Sequence, residues 1–162
     1  MLMEFLTGLE GSPLAAGLRS SKWLYPLVNA GHIAGIALLF GSIAAFDLRL
    51  MGAWYHVPLD ALARVLVPVA GAGLMVAAVC GTLLFIVRAT QYAASPLFQA
   101  KMIMLVIGLT NVLAYHFISR RLGWTSAGAV LVRPVPLQRL FGATSLSVWL
   151  SVLVLGRLVG YF

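Results

Sequence analysis

The feature that most limits how this chain folds is the stretch of residues 23–46, which carries no charge unless His32 takes a proton. A helix of roughly 20 apolar residues crosses the hydrocarbon core of a bilayer. Backbone groups in hydrocarbon must be satisfied within the chain, so such a stretch forms a helix or does not enter. Three more stretches share this character. Residues 65–87 lie between Arg64 and Arg88, and residues 102–119 lie between Lys101 and Arg120. Residues 140–162 follow Arg139, with Arg157 near their end. The pattern predicts an all-α, polytopic membrane protein. It is a single transmembrane domain over residues 1–162, a four-helix bundle with helices near 23–46, 65–87, 102–119 and 140–162. Four crossings put both termini on one side.

Only 9% of the residues are charged and 62% are hydrophobic, against about 25% charged in a soluble domain. The net charge of +7 does not build a nucleic-acid surface, because the basic residues mostly stand singly between apolar runs, where they mark helix ends and headgroups. Six of them, Arg49, Arg64, Arg120, Arg121, Arg133 and Arg139, fall on the side away from the termini. Five, Arg19, Lys22, Arg88, Lys101 and Arg157, fall on the terminal side. This small excess places the termini outside, in the periplasm, for a protein of a bacterial inner membrane. The lone Cys80 excludes an intramolecular disulfide and reads as a packing residue.

Residues 1–21 do not read as a cleavable signal, since Glu4 and Glu10 stand where positive charge belongs and Gly11-Ser12-Pro13 interrupts the apolar part. They predict a short interfacial helix with Leu2, Phe5, Leu6 and Leu9 on one side. The connections are Asp47 to Ala63, with a solvated His56; Ala89 to Ala100, a turn at Ser95-Pro96; and Arg121 to Gln138. Gly31 and Gly35, with Gly71, Gly73, Ala77 and Gly81, are small residues suited to close helix packing.

His32 is the residue that asks for a function. An ionisable group deep in a span is costly without a partner and marks a functional site by default. Counting from Lys22 puts it roughly 15 Å from the terminal side. Asn111, ten residues past Lys101, is expected at similar depth, and His116 about 7 Å nearer the other face. A neutral imidazole is an axial ligand to haem iron, and bundle cores are where such cofactors sit. His32 and His116 are the metal-ligand candidates. Lys101 and Arg157 would neutralise the propionates, and Asn111 would hydrogen-bond nearby. The bland alternatives are a His32 bonded to a neighbouring helix, a His116 facing headgroups, and snorkelling cations at Lys101 and Arg157. Copper is less well supported, with Met102 and Met104 as the only close methionine pair within a span. Asp47 and Asp60 are expected at or beyond the ends of their spans, which leaves no carboxylate in mid-membrane.

Trp23-Leu-Tyr-Pro-Leu-Val, His32, Gly41-Ser42 and Asp47-Leu-Arg-Leu-Met-Gly52 open an ordered string of motifs. It continues through Phe98-Gln-Ala-Lys101, the 111–116 stretch and Gly156-Arg157-Leu-Val-Gly-Tyr161. Over essentially its whole length the chain resembles a bacterial four-helix inner-membrane family of unknown function. More distantly, His32, Arg49-Leu50, Lys101 and Tyr115-His116 resemble, in order, features of the HemJ-type protoporphyrinogen oxidases, membrane proteins that bind haem b. That resemblance implies roles for the first-helix histidine and the lysine in haem binding and activity. The fourth helix departs from it, with Ala143-Thr144-Ser145 in place of an acidic Asn-Glu-x-Pro segment. The layout with a lysine opening the third helix is also similar to CopD-type copper-resistance membrane domains. The expectation is a membrane protein that binds b-type haem and works in electron transfer or redox chemistry, with a quinone or another redox membrane subunit as partner and possible homo-oligomers. The alternative is a non-enzymatic membrane subunit or copper-handling permease without haem.

Overall fold

The structure is a computed structural model that describes residues 1–124 and 134–161. Among these residues there are seven helices and no strand: α1 Leu2–Glu10, α2 Pro13–Ser20, α3 Leu24–Met51, α4 Leu59–Val87, α5 Ala89–Ala94, α6 Pro96–Leu122 and α7 Pro136–Leu158. The helices α3, α4, α6 and α7 are each long and apolar enough to cross a membrane. The protein is an all-α, multi-pass integral membrane protein built on four such helices.

The spans are longer than the charges suggested. Asp47 and Arg49 lie inside α3, Asp60 and Arg64 inside α4, Lys101 inside α6 and Arg139 inside α7. Charged residues mark the edge of the hydrocarbon, whereas helices run on through the headgroup layer, which adds about 10–15 Å to the core thickness. Local caps set the true ends. Ser95 accepts from the Phe98 N–H at 3.4 Å, and Pro96 takes the first helical position of α6, a place where proline loses no hydrogen bond. Gly52, at φ +115°, ends α3 in a left-handed conformation that favours glycine. At the other end of the chain α7 stops at Leu158, short of the expected 162. Arg133 and Gly128 of the long connection lie outside the described residues.

The N-terminal segment also differs from the expectation of one helix. Ser12, capping Ala15 at 3.2 Å, splits it into α1 and α2. Leu6, Ala15 and Leu18 are buried, while Leu2 and Phe5 are exposed. The segment packs on the terminal ends of α4 and α5. Arg19 donates to the carbonyls of Val87 (3.2 Å) and Glu10 (2.6 Å). Glu10 Oε1 accepts from the Thr90 N–H at 2.9 Å and the Thr90 hydroxyl at 2.8 Å. The two Thr90 bonds, backbone first, hold the Glu10 carboxyl below its usual range, with a smaller contribution from Arg19.

Helix packing follows the small residues. A Cβ built on Gly35 would meet Ala77 N at 2.5 Å and Gly73 O at 2.8 Å, so α3 and α4 touch backbone to backbone. Cys80 Sγ packs over Gly31, whereas Gly71 faces open space. Elsewhere α7 packs on α3 through Gly142, and Gly108 of α6 seats the Trp149 indole of α7. The order is α4–α3–α7–α6, and no Cα of α4 comes within 8 Å of one in α6. The two are joined at the terminal end by the stacked rings of Phe85, Tyr92 and Phe98, with centroids 5.4–6.3 Å apart. α3 is the central helix: 39% of its apolar stretch is buried, against 11% for α4 and α6.

Candidate functional site

His32 faces α4. Its Nδ1 lies 2.7 Å from the Ala77 carbonyl oxygen. A carbonyl only accepts, so Nδ1 carries the proton and donates, and the neutral ring presents a lone pair at Nε2. Among the described residues nothing bonds Nε2. The ring edge rests on Gly81, where a Cβ would come within 2.8 Å of Cε1. Glycine at 81 is therefore what lets the imidazole lie flat against α4. An Nδ1–H bonded to a backbone carbonyl is the arrangement that orients a metal-ligating histidine; it is also a complete structural bond between two helices.

Lys101 is the charged neighbour. It sits in the second turn of α6, with its Cε and Nζ over Gly156 of α7, 3.6 Å from where a Cβ would be. Its ammonium is close enough to His32 for the two to be electrostatically coupled. Neither a hydrogen bond nor an ion pair reaches it among the described residues. A half-buried cation without an anion, across from an imidazole with a free nitrogen, can hold an anionic ligand.

The other expected site residues lie elsewhere. Arg157 is at the same end of the bundle but turned outward, with its guanidinium over the Tyr161 ring at 4.6 Å and donating to the Tyr161 hydroxyl. Asn111 donates to the Phe141 carbonyl of α7 at 3.3 Å. The expectation that it shares the depth of His32 is corrected here. Lys22 precedes α3 while Lys101 lies within α6, so counts from the two do not align. Lys101 is the residue of α6 within electrostatic range of His32, and Asn111 lies a rise of about 15 Å further along the helix. His116 is exposed on α6, and its neighbour Phe117 stacks with Arg121, whose guanidinium lies 4.3 Å from the ring centroid. It is fifteen residues beyond Lys101, a rise of about 22 Å. The fold brings His32 and Lys101 together and leaves His116 and Asn111 apart from them. His56 is exposed in the connection after α3.

Sequence reasoning missed a second set of polar residues, at the end away from the termini. Asp47 and Arg49 are each only 4% exposed, and Ser119, Gln138 and Ser145 are buried with them. Arg49 donates from Nε to Val57 O (2.8 Å) and from Nη2 to Tyr55 O (2.9 Å), so it ties down the connection after α3. Ser145 is within hydrogen-bonding reach of the Asp47 carboxyl, whose Oδ2 is buried and unpartnered. The Asp-x-Arg spacing was visible in sequence; what hid its meaning was the assumption that charges end the helix. Comparison with family models, curated proteins and solved structures found no match.

Proposed function

We propose that this protein binds b-type haem in its transmembrane bundle and acts in electron transfer or related redox chemistry. The observation that carries the reading is the His32 imidazole, held by the Ala77 carbonyl with Nε2 unbonded among the described residues, within electrostatic range of the Lys101 ammonium. A neutral nitrogen donor of fixed tautomer suits haem iron. Lys101 would take a propionate, and the separation of α4 from α6 leaves an approach between helices. His32 is the axial ligand in this reading. The rise between Lys101 and His116 keeps His116 of the same chain from that iron. When bound, haem supplies a one-electron couple whose potential the axial ligand and burial set. The chain's own part is to orient the imidazole, offer a cation and exclude water. A quinone or another redox membrane subunit is the partner in kind, and a second copy of the chain is compatible with the thinly buried α4 and α6.

The distant resemblance of His32, Arg49-Leu50, Lys101 and Tyr115-His116 to features of the HemJ-type oxidases supports this reading. The resemblance to the inner-membrane family supports a bacterial inner membrane, and the excess of basic residues supports periplasmic termini, although Arg49, one of the six on the far side, is buried. The test is absorption: protein purified after expression with ample haem shows a Soret band and a reduced α band, and His32→Ala abolishes both. A colourless wild type overturns the proposal. The second reading is a non-enzymatic subunit or copper-handling permease in which His32 only ties α3 to α4. The 2.7 Å bond to Ala77 and the close fit on Gly81 favour it equally. In that case His32→Ala lowers stability and no chromophore is present at any stage.

A further inference from the structure

The cluster at the far end of the bundle is used by neither reading. Among the described residues Asp47 Oδ2 is buried without a hydrogen-bond partner, and the buried Tyr115 and Ser119 hydroxyls have only each other within reach. Asp47 and Ser119 are 4% and 2% exposed. Tyr115 couples electrostatically to both Asp47 and Arg49, and its ring is boxed by Phe46 (5.8 Å), Phe141 (5.8 Å) and Trp124 (6.0 Å). Buried groups of this kind are nearly always paired in native proteins, with ordered water as the common partner where protein atoms do not serve. Room for water is close by. A cavity of about 140 Å³ is lined by Arg49, Leu50, Leu59, Trp124 and Gln138 among others. Arg49 and Trp124 belong to the cavity wall and also neighbour Tyr115. Arg49 spends two donors on the connection's carbonyls and none on Asp47.

We propose that this cluster is a hydrated proton-exchange site. Water from the Arg49 cavity reaches Tyr115 and Asp47, and the Asp47 carboxyl takes a proton from that water at Oδ2 and returns it. The groups that face Asp47 fit this role. Arg49 lies on its own helix, α6 contributes Tyr115, and α7 contributes Ser145, which does not titrate near neutral pH. Asp47 is thus the carboxyl of the cluster, and its single hydroxyl partner leaves one oxygen for exchange. The site stands about 22 Å along the bundle from His32 and does not depend on haem being bound there.

Infrared titration of the full-length protein in lipid nanodiscs, without added haem, tests this. The expected result is a protonated-carboxyl C=O stretch that grows as pH falls, shifts promptly in D₂O, vanishes in Asp47→Asn and moves in Ser145→Ala. Leu59→Trp, which fills the cavity, is expected to slow the D₂O shift severalfold while leaving the band in place. The Ser145→Ala shift assigns the band even if Asp47→Asn does not fold. A carboxyl signal unaffected by either substitution between about pH 4 and pH 9 overturns the proposal, as does an Asp47 band that exchanges equally fast in Leu59→Trp.

Discussion

The two ends of the bundle handle polar groups in opposite ways. At the terminal end, His32 has its Nδ1 bond settled on backbone and keeps Nε2 unbonded among the described residues, within electrostatic range of Lys101, which no described anion meets. At the far end, Arg49 gives two donors to backbone carbonyls and none to Asp47, whose Oδ2 is buried without a partner among the described residues. The first end offers a nitrogen lone pair and a cation; the second offers a buried carboxylate oxygen. The difference shows that burial alone does not define a membrane site. What a site lacks, once its hydrogen bonds are counted, says what kind of ligand it takes.

If the ends are independent, substitutions at one leave the other unchanged, because sites this far apart act additively. The largest effect is expected at the helix contact that carries His32. Gly35→Leu forces side-chain atoms into the backbone of Ala77 and Gly73 and is expected to cost at least about 3 kcal/mol. Gly71→Leu, which faces open space, is expected to stay within about 0.5 kcal/mol; thermal midpoints in detergent compare the two. At the far end, Arg49→Ala removes the donors bonded to the Tyr55 and Val57 carbonyls and is expected to cost about 2 kcal/mol. Hydrogen exchange across residues 52–58 should rise while α3 near His32 keeps its protection. Gly81→Ala pushes on the His32 ring, costs about 1 kcal/mol and weakens haem retention severalfold without touching the Asp47 carboxyl band.

The smallest effect lies outside the spans. The folded Glu10 carboxyl titrates below its usual range because Thr90 donates to its charged form. Its contribution to docking α1 is therefore complete above the ordinary carboxylate value of about 4.3. It is lost as pH falls through the lowered folded value. Hydrogen exchange in α1 should accelerate only on that acid side, and Glu10→Gln should flatten the dependence.

Much of this architecture was legible in the sequence. Four apolar runs announced four spans, and the small residues announced close helix packing without saying between which helices; Gly35 and Gly73 make that contact while Gly71 faces open space. The depth of Asn111 was not legible, since register between helices depends on where each begins relative to its flanking charge. The Asp47 cluster was missed for a related reason. A charge near the end of an apolar run reads as a boundary, yet α3 continues a full turn beyond Asp47 under cover of α7. Lys101 was expected only as a propionate's cation nearer the terminal face; its electrostatic coupling to His32, and the bond to Ala77 that orients the ring, needed the packed helices.

The most direct measurement of the account's central claim is the reduced-minus-oxidised absorption spectrum of the purified protein, taken in parallel for wild type, His32→Ala and Asp47→Asn. The account predicts a haem b α band in wild type and Asp47→Asn and its loss in His32→Ala. A wild type without that band, or a His32→Ala protein that keeps full haem content while folded, contradicts it.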